Sequence, residues 1–256
     1  MLAAALQMPH GDTLAANVAR AHEMTDAARA AGAQLALLPE YWFATPGGGP
    51  LQERDGPDIR KALGAMSRGL VLGANVVERR EGKLLNVGVV YADGHLALDQ
   101  PKVHPMPREV GAGVASWPHL EARDVAGFRV GMLVCADVLY PEAARVLALQ
   151  GARVLLNPVM SPFRENDPGK AAREAVYVAR AYDSGAFVVK AGGFRAGAIA
   201  GRSLIAAPWG LLARYQDDFA EELVLAELDF ARLDAFRESQ AKFPARVPEA
   251  YGRLVE

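Results

Sequence analysis

The sequence has a single cysteine, few histidines and no excess of basic residues, and each shortage argues against a class of protein. One cysteine among 256 residues cannot form an internal disulfide, so we expect a buried core to stabilise the fold. The five histidines are scattered without i, i+4 pairing, which argues against a dedicated zinc site. A formal net charge of −2 argues against a nucleic-acid partner, because such a surface requires clustered lysine and arginine.

Long apolar runs are also absent. No segment approaches the length of a membrane span. The apolar stretch MLAAALQM near the N-terminus is short and has no basic region before it, unlike an export signal. We therefore predict a cytoplasmic protein with no membrane partner.

The composition is that of an ordinary globular chain, with 51% hydrophobic and 23% charged residues. The length favours one large α/β domain over 1–256. Near the N-terminus, the pattern predicts a strand over 2–8, a helix from the capping residue Thr13 to Ala31, and a strand over 34–38. This β-α-β order is typical of strands that lie side by side under a helix.

The rest of the chain continues to alternate between strand-like and helix-like segments. Three segments rich in glycine, proline or polar residues, over 41–58, 100–118 and 161–169, are predicted to be loops. We predict further helices over 59–68, 141–150, 170–184 and 230–238, and further strands over 70–77, 84–92, 95–99, 128–134, 153–156, 187–190, 203–206, 211–215 and 222–228. These elements suit a layered α/β protein with two mixed sheets and helices on their faces.

The segment RVGMLVCADVLYPE, over 129–142, places the only cysteine at a strand end. Its apolar part has the length of a buried strand, and Cys135 follows in a polar turn. Pro141 and Glu142 then suit the first turn of a helix. A thiol between a strand end and a helix start is well placed for a nucleophile, although a free cysteine is also often a small, buried apolar side chain.

Two other charged residues share this context, since Glu40 and Lys102 also follow strand-like segments at the start of irregular ones. Strand ends in α/β sheets line the crevice where ligands bind. A carboxylate there can take a thiol proton, and an ammonium can stabilise an oxyanion. Taken singly, Glu40 suits a solvated edge residue and Lys102 a surface cation, and spacing alone does not bring them to Cys135.

Three motifs, in this order, resemble those of the nitrilase superfamily, the carbon–nitrogen hydrolases. LALLPE ends at Glu40, PKVHPMPRE contains Lys102, and VGMLVCADVLYPE contains Cys135; these residues match the family's Glu–Lys–Cys triad. Glu109 falls where the family often has a second active-site glutamate. The resemblance implies that Cys135 attacks an amide carbon and that Glu40 moves the proton. Lys102 and the backbone N–H of Ala136 would then hold the oxyanion.

The resemblance covers nearly the whole chain, since YVARAYDSGAFVV and GRSLIAAPWGLLAR are similar to later family segments. It implies a four-layer αββα sandwich, with two mixed β-sheets between helix layers, and a homodimer or higher homo-oligomer. It also implies a cofactor-independent amidase that releases ammonia or an amine from a small amide through a cysteine thioester. Nitrile hydrolysis, carbamoyl-amine hydrolysis, acyl transfer and a catalytically idle binding subunit remain alternatives.

Departures from the family near the cysteine bear on the substrate. Many members have an arginine four residues after the cysteine, where this chain has Leu139. Nitrile-cleaving members commonly have a Trp-Glu pair where this chain has Ala136 and Asp137. These differences favour an amide over a nitrile without naming the amide.

The candidates for substrate contact lie in or beside the predicted loops: Phe43, Val159, Met160 and Arg164. Phe43 and its aromatic neighbours Tyr41 and Trp42 suit either a pocket wall or the core. Arg164 suits a bidentate contact with a substrate carboxylate, but the usual exposure of arginine favours a solvated loop charge. For His104, a hydrogen-bonded supporting role is favoured over substrate contact.

Overall fold

Two six-stranded mixed β-sheets form the centre of the structure. The computed structural model describes residues 1–45, 56–240 and 245–254. Strands β1 to β14 are, in chain order, Leu2–Gln7, Leu35–Leu37, Val71–Arg80, Lys83–Ala92, His95–Pro101, Ala122–Val125, Phe128–Met132, Val154–Val159, Ser161–Pro162, Phe187–Gly192, Ile199–Ala200, Leu204–Ala207, Gly210–Arg214 and Glu222–Glu227. Helices α1 to α6 are Leu14–Ala30, Gly56–Met66, Pro107–Gly111, Pro141–Leu149, Lys170–Ser184 and Phe230–Ser239, with 3-10 helices at Cys135–Leu139 and Pro248–Leu254.

The two sheets share a plan in which parallel strands form the middle and antiparallel strands the edges. The first sheet has the order β14-β1-β2-β3-β4-β5, and β1, β2 and β3 are parallel. The second has the order β13-β12-β10-β8-β7-β6, and β7, β8 and β10 are parallel. β4 is antiparallel to both β3 and β5, so β5 runs in the same direction as β3 and β2. The carboxyl ends of β2 and β5 therefore lie at one edge of the first sheet.

The alternation of side chains along each strand divides the core into three layers. In β8, Leu156 packs between the two sheets, whereas its neighbour Leu155 packs outward beneath the helices. In β1, Ala5 faces the other sheet and Leu6 faces the helices of its own sheet. Burying each leucine side chain contributes about 1.5–3 kcal/mol. Strands covered on both faces are apolar along their whole length, which explains the continuous apolar runs of the sequence.

Helices cover the outer face of each sheet and complete the four layers. α1 and α2 pack on the first sheet through Met24 and Leu63, and α4 and α5 pack on the second through Leu147 and Ala181. The Thr13 side chain accepts a hydrogen bond from the backbone N–H of Ala16 and caps α1 as predicted. The four-layer αββα sandwich with two mixed sheets is confirmed.

Glycine allows the two sheets to approach closely at one point. A Cβ on Gly88 of β4 would lie 2.3 Å from Cγ of Met132 in β7. No side chain fits there unless the side chains of Met132 and Val134 move, and β7 is the strand that leads to Cys135. Within the described residues, no helix is long and apolar enough to cross a membrane.

Most predicted elements are confirmed, but the buried face predicted for α5 is wrong at three of its four residues. The spacing predicts Ala175, Val178, Ala179 and Tyr182 inward. Of these, Val178 is partly buried against the core, whereas Ala175, Ala179 and Tyr182 are exposed. The fully buried residues of α5 are Tyr177, Ala181 and Ser184. Nearly every position in the middle of α5 is apolar, so its periodicity did not discriminate between two faces.

Other differences concern two predicted loops. The segment predicted to be irregular over 100–118 contains α3, which Pro107 begins. The loop predicted over 41–58 falls in part on 46–55, outside the described residues, and α2 begins at Gly56. β14 follows β12 and β13 in the chain but pairs with β1 in the other sheet, a pairing on which the sequence made no prediction. The single domain over 1–256 stays a prediction.

Candidate active site

The carboxyl ends of strands from both sheets bring three predicted residues together. Glu40 follows β2 and Lys102 follows β5, and Nζ of Lys102 donates to Oε1 of Glu40 over 2.9 Å. Cys135 follows β7 in the second sheet, and its thiol is hydrogen-bonded to the Glu40 carboxylate. The backbone N–H of Met160, after β8, donates to Oε2 of Glu40 over 3.1 Å. Glu40 is therefore held from both sheets.

The fourth predicted residue, Glu109, completes a buried cluster of three charges. Nζ of Lys102 donates to Oε2 of Glu109 over 2.7 Å, and the backbone N–H of Met106 donates to the same oxygen over 2.7 Å. Glu40 and Lys102 are each 1% exposed and Glu109 is 7% exposed. Buried charges require partners, and here one ammonium is shared by two carboxylates.

Sequence reasoning missed two asparagines that support this cluster. Nδ2 of Asn86, in β4, lies 2.9 Å from Oε1 of Glu40, from Oε1 of Glu109 and from the hydroxyl of Tyr41. Asn75, in β3, accepts from the backbone N–H of Tyr41 through Oδ1 and donates to Oδ1 of Asn86. Tyr41 itself donates to Glu109 over 2.6 Å. An isolated amide within an apolar strand is the signal that would have identified both residues.

The turn at Cys135 has an unusual backbone. Its φ is +49°, in the left-handed region that residues other than glycine seldom adopt. Ala136 follows at the start of the 3-10 helix and is 4% exposed. The Asp137 carboxylate, fully buried, accepts from the backbone N–H groups of Val134 and His104. One carboxylate thus ties the cysteine turn to the loop that begins at Lys102.

His104 has the supporting position that its sequence context favours. Its Nδ1 lies 2.8 Å from Oδ1 of Asp137. Its ring stacks on Tyr140, with centroids 3.6 Å apart and planes 8° from parallel. These contacts orient the imidazole against the cysteine turn.

Burial and neighbouring charges drive the pKa values of the two glutamates apart. Burial raises the pKa of Glu40; Lys102 opposes this, and the charge of Glu109 adds to it. Burial also acts to raise the pKa of Glu109, but Lys102 and the hydrogen bond from Tyr41 outweigh it, and that pKa is lowered. Divergent pKa values are typical of carboxylates with different roles. Glu40 is suited to exchange a proton, and Glu109 to remain charged.

The same neighbouring charges shift the pKa values of the Cys135 thiol and the Lys102 ammonium. Burial raises the pKa of Cys135, the charge of Glu40 raises it further, and Lys102 opposes both. Burial acts to lower the pKa of Lys102, but Glu40, Cys135 and Glu109 together raise it above its ordinary value. At neutral pH the site therefore holds a protonated thiol beside Glu40, with a charged lysine between the two glutamates.

The four candidates for substrate contact differ in exposure. Phe43 is fully buried, with its ring centroid 5.8 Å from that of Trp42. Val159 is buried at the end of β8, and Met160 is partly buried. Arg164 is exposed. Among these, the backbone of Met160 contacts Glu40 directly. No group of three or more His, Cys, Asp or Glu side chains in the described part of the chain is arranged to hold a metal ion.

Comparison with known proteins identifies the family. The family model for carbon-nitrogen hydrolase matches residues 2–238. The chain is 26% identical to an N-carbamoylputrescine amidase of Arabidopsis thaliana, over 100% of this chain and 95% of the relative. It is 27% identical to the omega-amidase NIT2 of Bos taurus, over 97% of this chain and 95% of the relative.

Solved structures show the same fold. A carbon-nitrogen hydrolase from Helicobacter pylori G27 superposes with a TM-score of 0.90 at 22% identity, covering 100% of this chain and 98% of that one. An amidase from Nesterenkonia sp. superposes with a TM-score of 0.80 at 20% identity, covering 95% of both chains. The chain therefore belongs to the carbon–nitrogen hydrolase family, the nitrilase superfamily, and is an enzyme that acts on carbon–nitrogen bonds other than peptide bonds.

Proposed function

We propose that this enzyme hydrolyses a small amide through a cysteine thioester, with Glu40, Lys102 and Cys135 as the catalytic residues. The observation that carries the proposal is the contact of Glu40 with both the Cys135 thiol and the Lys102 ammonium. A base beside a protonated thiol, with a fixed cation next to both, is the arrangement that acyl transfer to sulfur requires.

In the first step, Glu40 takes the thiol proton as Cys135 attacks the amide carbon. The sulfur–carbon bond forms and the carbonyl electron pair moves to oxygen. Lys102 and the backbone N–H of Ala136 stabilise that oxyanion. The oxyanion then re-forms the carbonyl, the carbon–nitrogen bond breaks, and Glu40 returns the proton to the leaving nitrogen. Ammonia or an amine departs and a thioester remains.

In the second step, Glu40 takes a proton from water, and the resulting hydroxide attacks the thioester carbon. The carbon–sulfur bond breaks, the carboxylic acid leaves, and the thiolate regains a proton. The raised pKa of Glu40 suits a group that accepts and returns a proton in each step. Glu109, with its lowered pKa, stays charged and keeps Lys102 in place.

The substrate class rests on the residues after the cysteine and on the relatives. Ala136 and Asp137 stand where nitrile-cleaving members commonly have Trp-Glu, which supports an amide. The relatives' names include both N-carbamoylputrescine amidase and omega-amidase. Carbamoyl amines are therefore the second candidate class. We assign Phe43, Val159, Met160 and Arg164 to substrate contact as part of this proposal.

The test is ammonia release from a panel of small amides, ω-amides, carbamoyl amines and nitriles. Wild-type protein should release ammonia from at least one amide, and the Cys135→Ala protein, as the blank, should release none. Product analysis separates acids from nitrile-derived amides and from acyl-transfer products. Activity that persists in the Cys135→Ala protein contradicts the mechanism. A thiol that resists alkylation while the protein is folded favours a catalytically idle subunit.

We also propose that the protein is a homo-oligomer. α4 packs beside α5 and the 3-10 helix Cys135–Leu139. This surface exposes large apolar side chains: Leu139, Tyr140, Val146, Leu149 and Tyr182. Exposed apolar groups clustered in this way are typical of protein interfaces. The cytoplasmic location stays a prediction.

A further inference from the structure

One buried amide binds the backbone at two points, before the cysteine turn and at Cys135 itself. Asn157, fully buried in β8, donates through Nδ2 to the backbone oxygen of Leu133 and, over 3.1 Å, to the backbone oxygen of Cys135. Its Oδ1 has no hydrogen-bond partner among the described residues. The side chain therefore acts through its NH₂ group alone, and the opposite orientation would set Oδ1 against two carbonyl oxygens.

The hydrogen bond from Asn157 to the carbonyl of Cys135 contacts the peptide unit that also carries the N–H of Ala136, the proposed oxyanion donor. The carbonyl of Cys135 and the N–H of Ala136 belong to one planar trans peptide, so they point in opposite directions. A donor fixed on the carbonyl side sets the direction of the N–H on the other side. It also polarises the unit, because hydrogen bonds in series strengthen one another.

We propose that Asn157 is a positioning residue that aims the backbone N–H of Ala136 at the oxyanion. The inference rests on the proposed function, in which that N–H is an oxyanion donor. The left-handed φ of Cys135 supports it, since a non-glycine residue holds such a conformation only when its surroundings impose it. The hydrogen bond from Asn157 holds the carbonyl of Cys135 in this turn.

A purely structural role of Asn157 predicts a different effect of its loss on the reactions of Cys135. If Asn157 only joined β8 to the end of β7, its loss would disturb every reaction of Cys135 alike. If it aims the Ala136 N–H, its loss affects only reactions in which negative charge develops on a carbonyl oxygen. Attack of the thiol on a saturated carbon develops no such charge.

The experiment compares three reactions of Cys135 in wild-type, Asn157→Leu and Asn157→Ser proteins. The first is amide hydrolysis, measured as kcat and KM. The second is reversible binding of a small aliphatic aldehyde, butanal, in which the thiol proton passes to Glu40, sulfur bonds to the carbonyl carbon and the oxygen gains the electron pair. The third is alkylation by 2-iodoethanol, in which sulfur bonds to carbon, iodide leaves and the thiol proton passes to Glu40.

Leucine matches asparagine in size without a donor, and serine is too short to bridge both carbonyls, so one variant remains informative if the other does not fold. Gln7→Met is the matched control, because Gln7 is also a fully buried amide that donates to two backbone oxygens, those of Asp217 and Ala220. It should leave all three reactions of Cys135 unchanged.

We expect kcat to fall about 10- to 100-fold with KM changed little, and aldehyde affinity to fall by a similar factor, since an oxyanion donor acts chiefly on the transition state. Alkylation should change by less than about twofold under the same principle. Equal losses in all three reactions, or no loss in any, would overturn the inference. The aldehyde and alkylation measurements need no turnover, so they test Asn157 even for a wild-type protein that hydrolyses no amide, which would instead refute the proposed function.

Discussion

The ammonium nitrogen of Lys102 lies 2.9 Å from Oε1 of Glu40, and only 1–2% of either side chain is exposed. Such a pair is stable only because each remaining polar atom also finds a partner. Glu109 and Asn86 supply those partners. The site is therefore a small charged network enclosed by two sheets, and removal of any one member should alter the pKa values of the others.

The first prediction concerns the effect of Glu109 on Glu40. In Glu109→Gln, the negative charge that raises the pKa of Glu40 is lost. The acid limb of kcat/KM, which reports ionisation of Glu40, should therefore move to lower pH. The measurement is a pH–rate profile, with the exposed residue Glu142 as the control variant Glu142→Gln. An acid limb that stays in place, or that moves to higher pH, contradicts the assigned roles of the two glutamates.

The second prediction concerns the reactivity of the thiol. Burial and the charge of Glu40 raise the pKa of Cys135, so few thiolates form at pH 8.5–9, where free cysteine titrates. The alkylation rate of Cys135 by 2-iodoethanol should instead rise with the ionisation of Glu40, whose pKa is raised by burial, and show no further rise where free cysteine titrates. Glu40→Gln should slow it about 10²- to 10⁴-fold, the usual contribution of a general base. A rate that follows an ordinary thiol titration would show that Glu40 is not the base.

The third prediction concerns Lys190, a buried lysine outside the mechanism. Its Nζ donates to the backbone oxygen of Arg202. Burial, and then the charge of Arg202, lower its pKa from 10.5 to about 7. Between those values the unfolded chain binds more protons than the folded one, so stability should rise with pH across that window by up to about 1.4 kcal/mol per pH unit. Below pH 7 the penalty is fully present.

Lys190→Met should remove that pH dependence. Denaturant unfolding at pH 7 and pH 9.5 measures it as the difference between wild type and variant. Lys83→Met serves as the control, since Lys83 is exposed. A wild-type stability that does not rise relative to Lys190→Met over this window would show that Lys190 keeps an ordinary pKa.

The fourth prediction concerns assembly. If the apolar surface of α4 and α5 is covered by a second copy, a charge there should break the contact, because an unpaired charge is costly to bury. Light scattering should give a multiple of the chain mass for wild type and a lower mass for Val146→Glu with Leu149→Glu. Leu96→Glu, at an exposed leucine of β5, should leave the mass unchanged. A monomeric wild type would refute the proposal.

Local patterns predicted much of the fold. Apolar runs ended by glycine and proline located most strands, and Lys170–Ser184 has the predicted bounds. Patterns did not determine which strands pair, because pairing depends on contacts between distant segments. β14 shows this, since it follows β13 in the chain but pairs with β1.

The candidate site was predicted through motifs rather than through spacing. Glu40, Lys102 and Cys135 each lie at a strand end, but only the family resemblance related them to one another. Asn86 and Asn157 were not predicted because their roles depend on contacts with residues distant in the sequence: Asn86 contacts Glu40 and Glu109, and Asn157 contacts the backbone at Cys135. The left-handed backbone conformation of Cys135 could not be predicted either. Local propensity favours glycine or asparagine at such a position.

The central claim is that the acyl group of the substrate is carried by Cys135. The most direct test is mass spectrometry of protein that is quenched in acid during turnover of the best amide. We expect the peptide containing Cys135 to gain the mass of the acyl group, and hydroxylamine to remove that group as a hydroxamate. In Cys135→Ala no adduct should form. Turnover by wild type without an adduct on Cys135, and with no hydroxamate formed, would contradict the thioester mechanism.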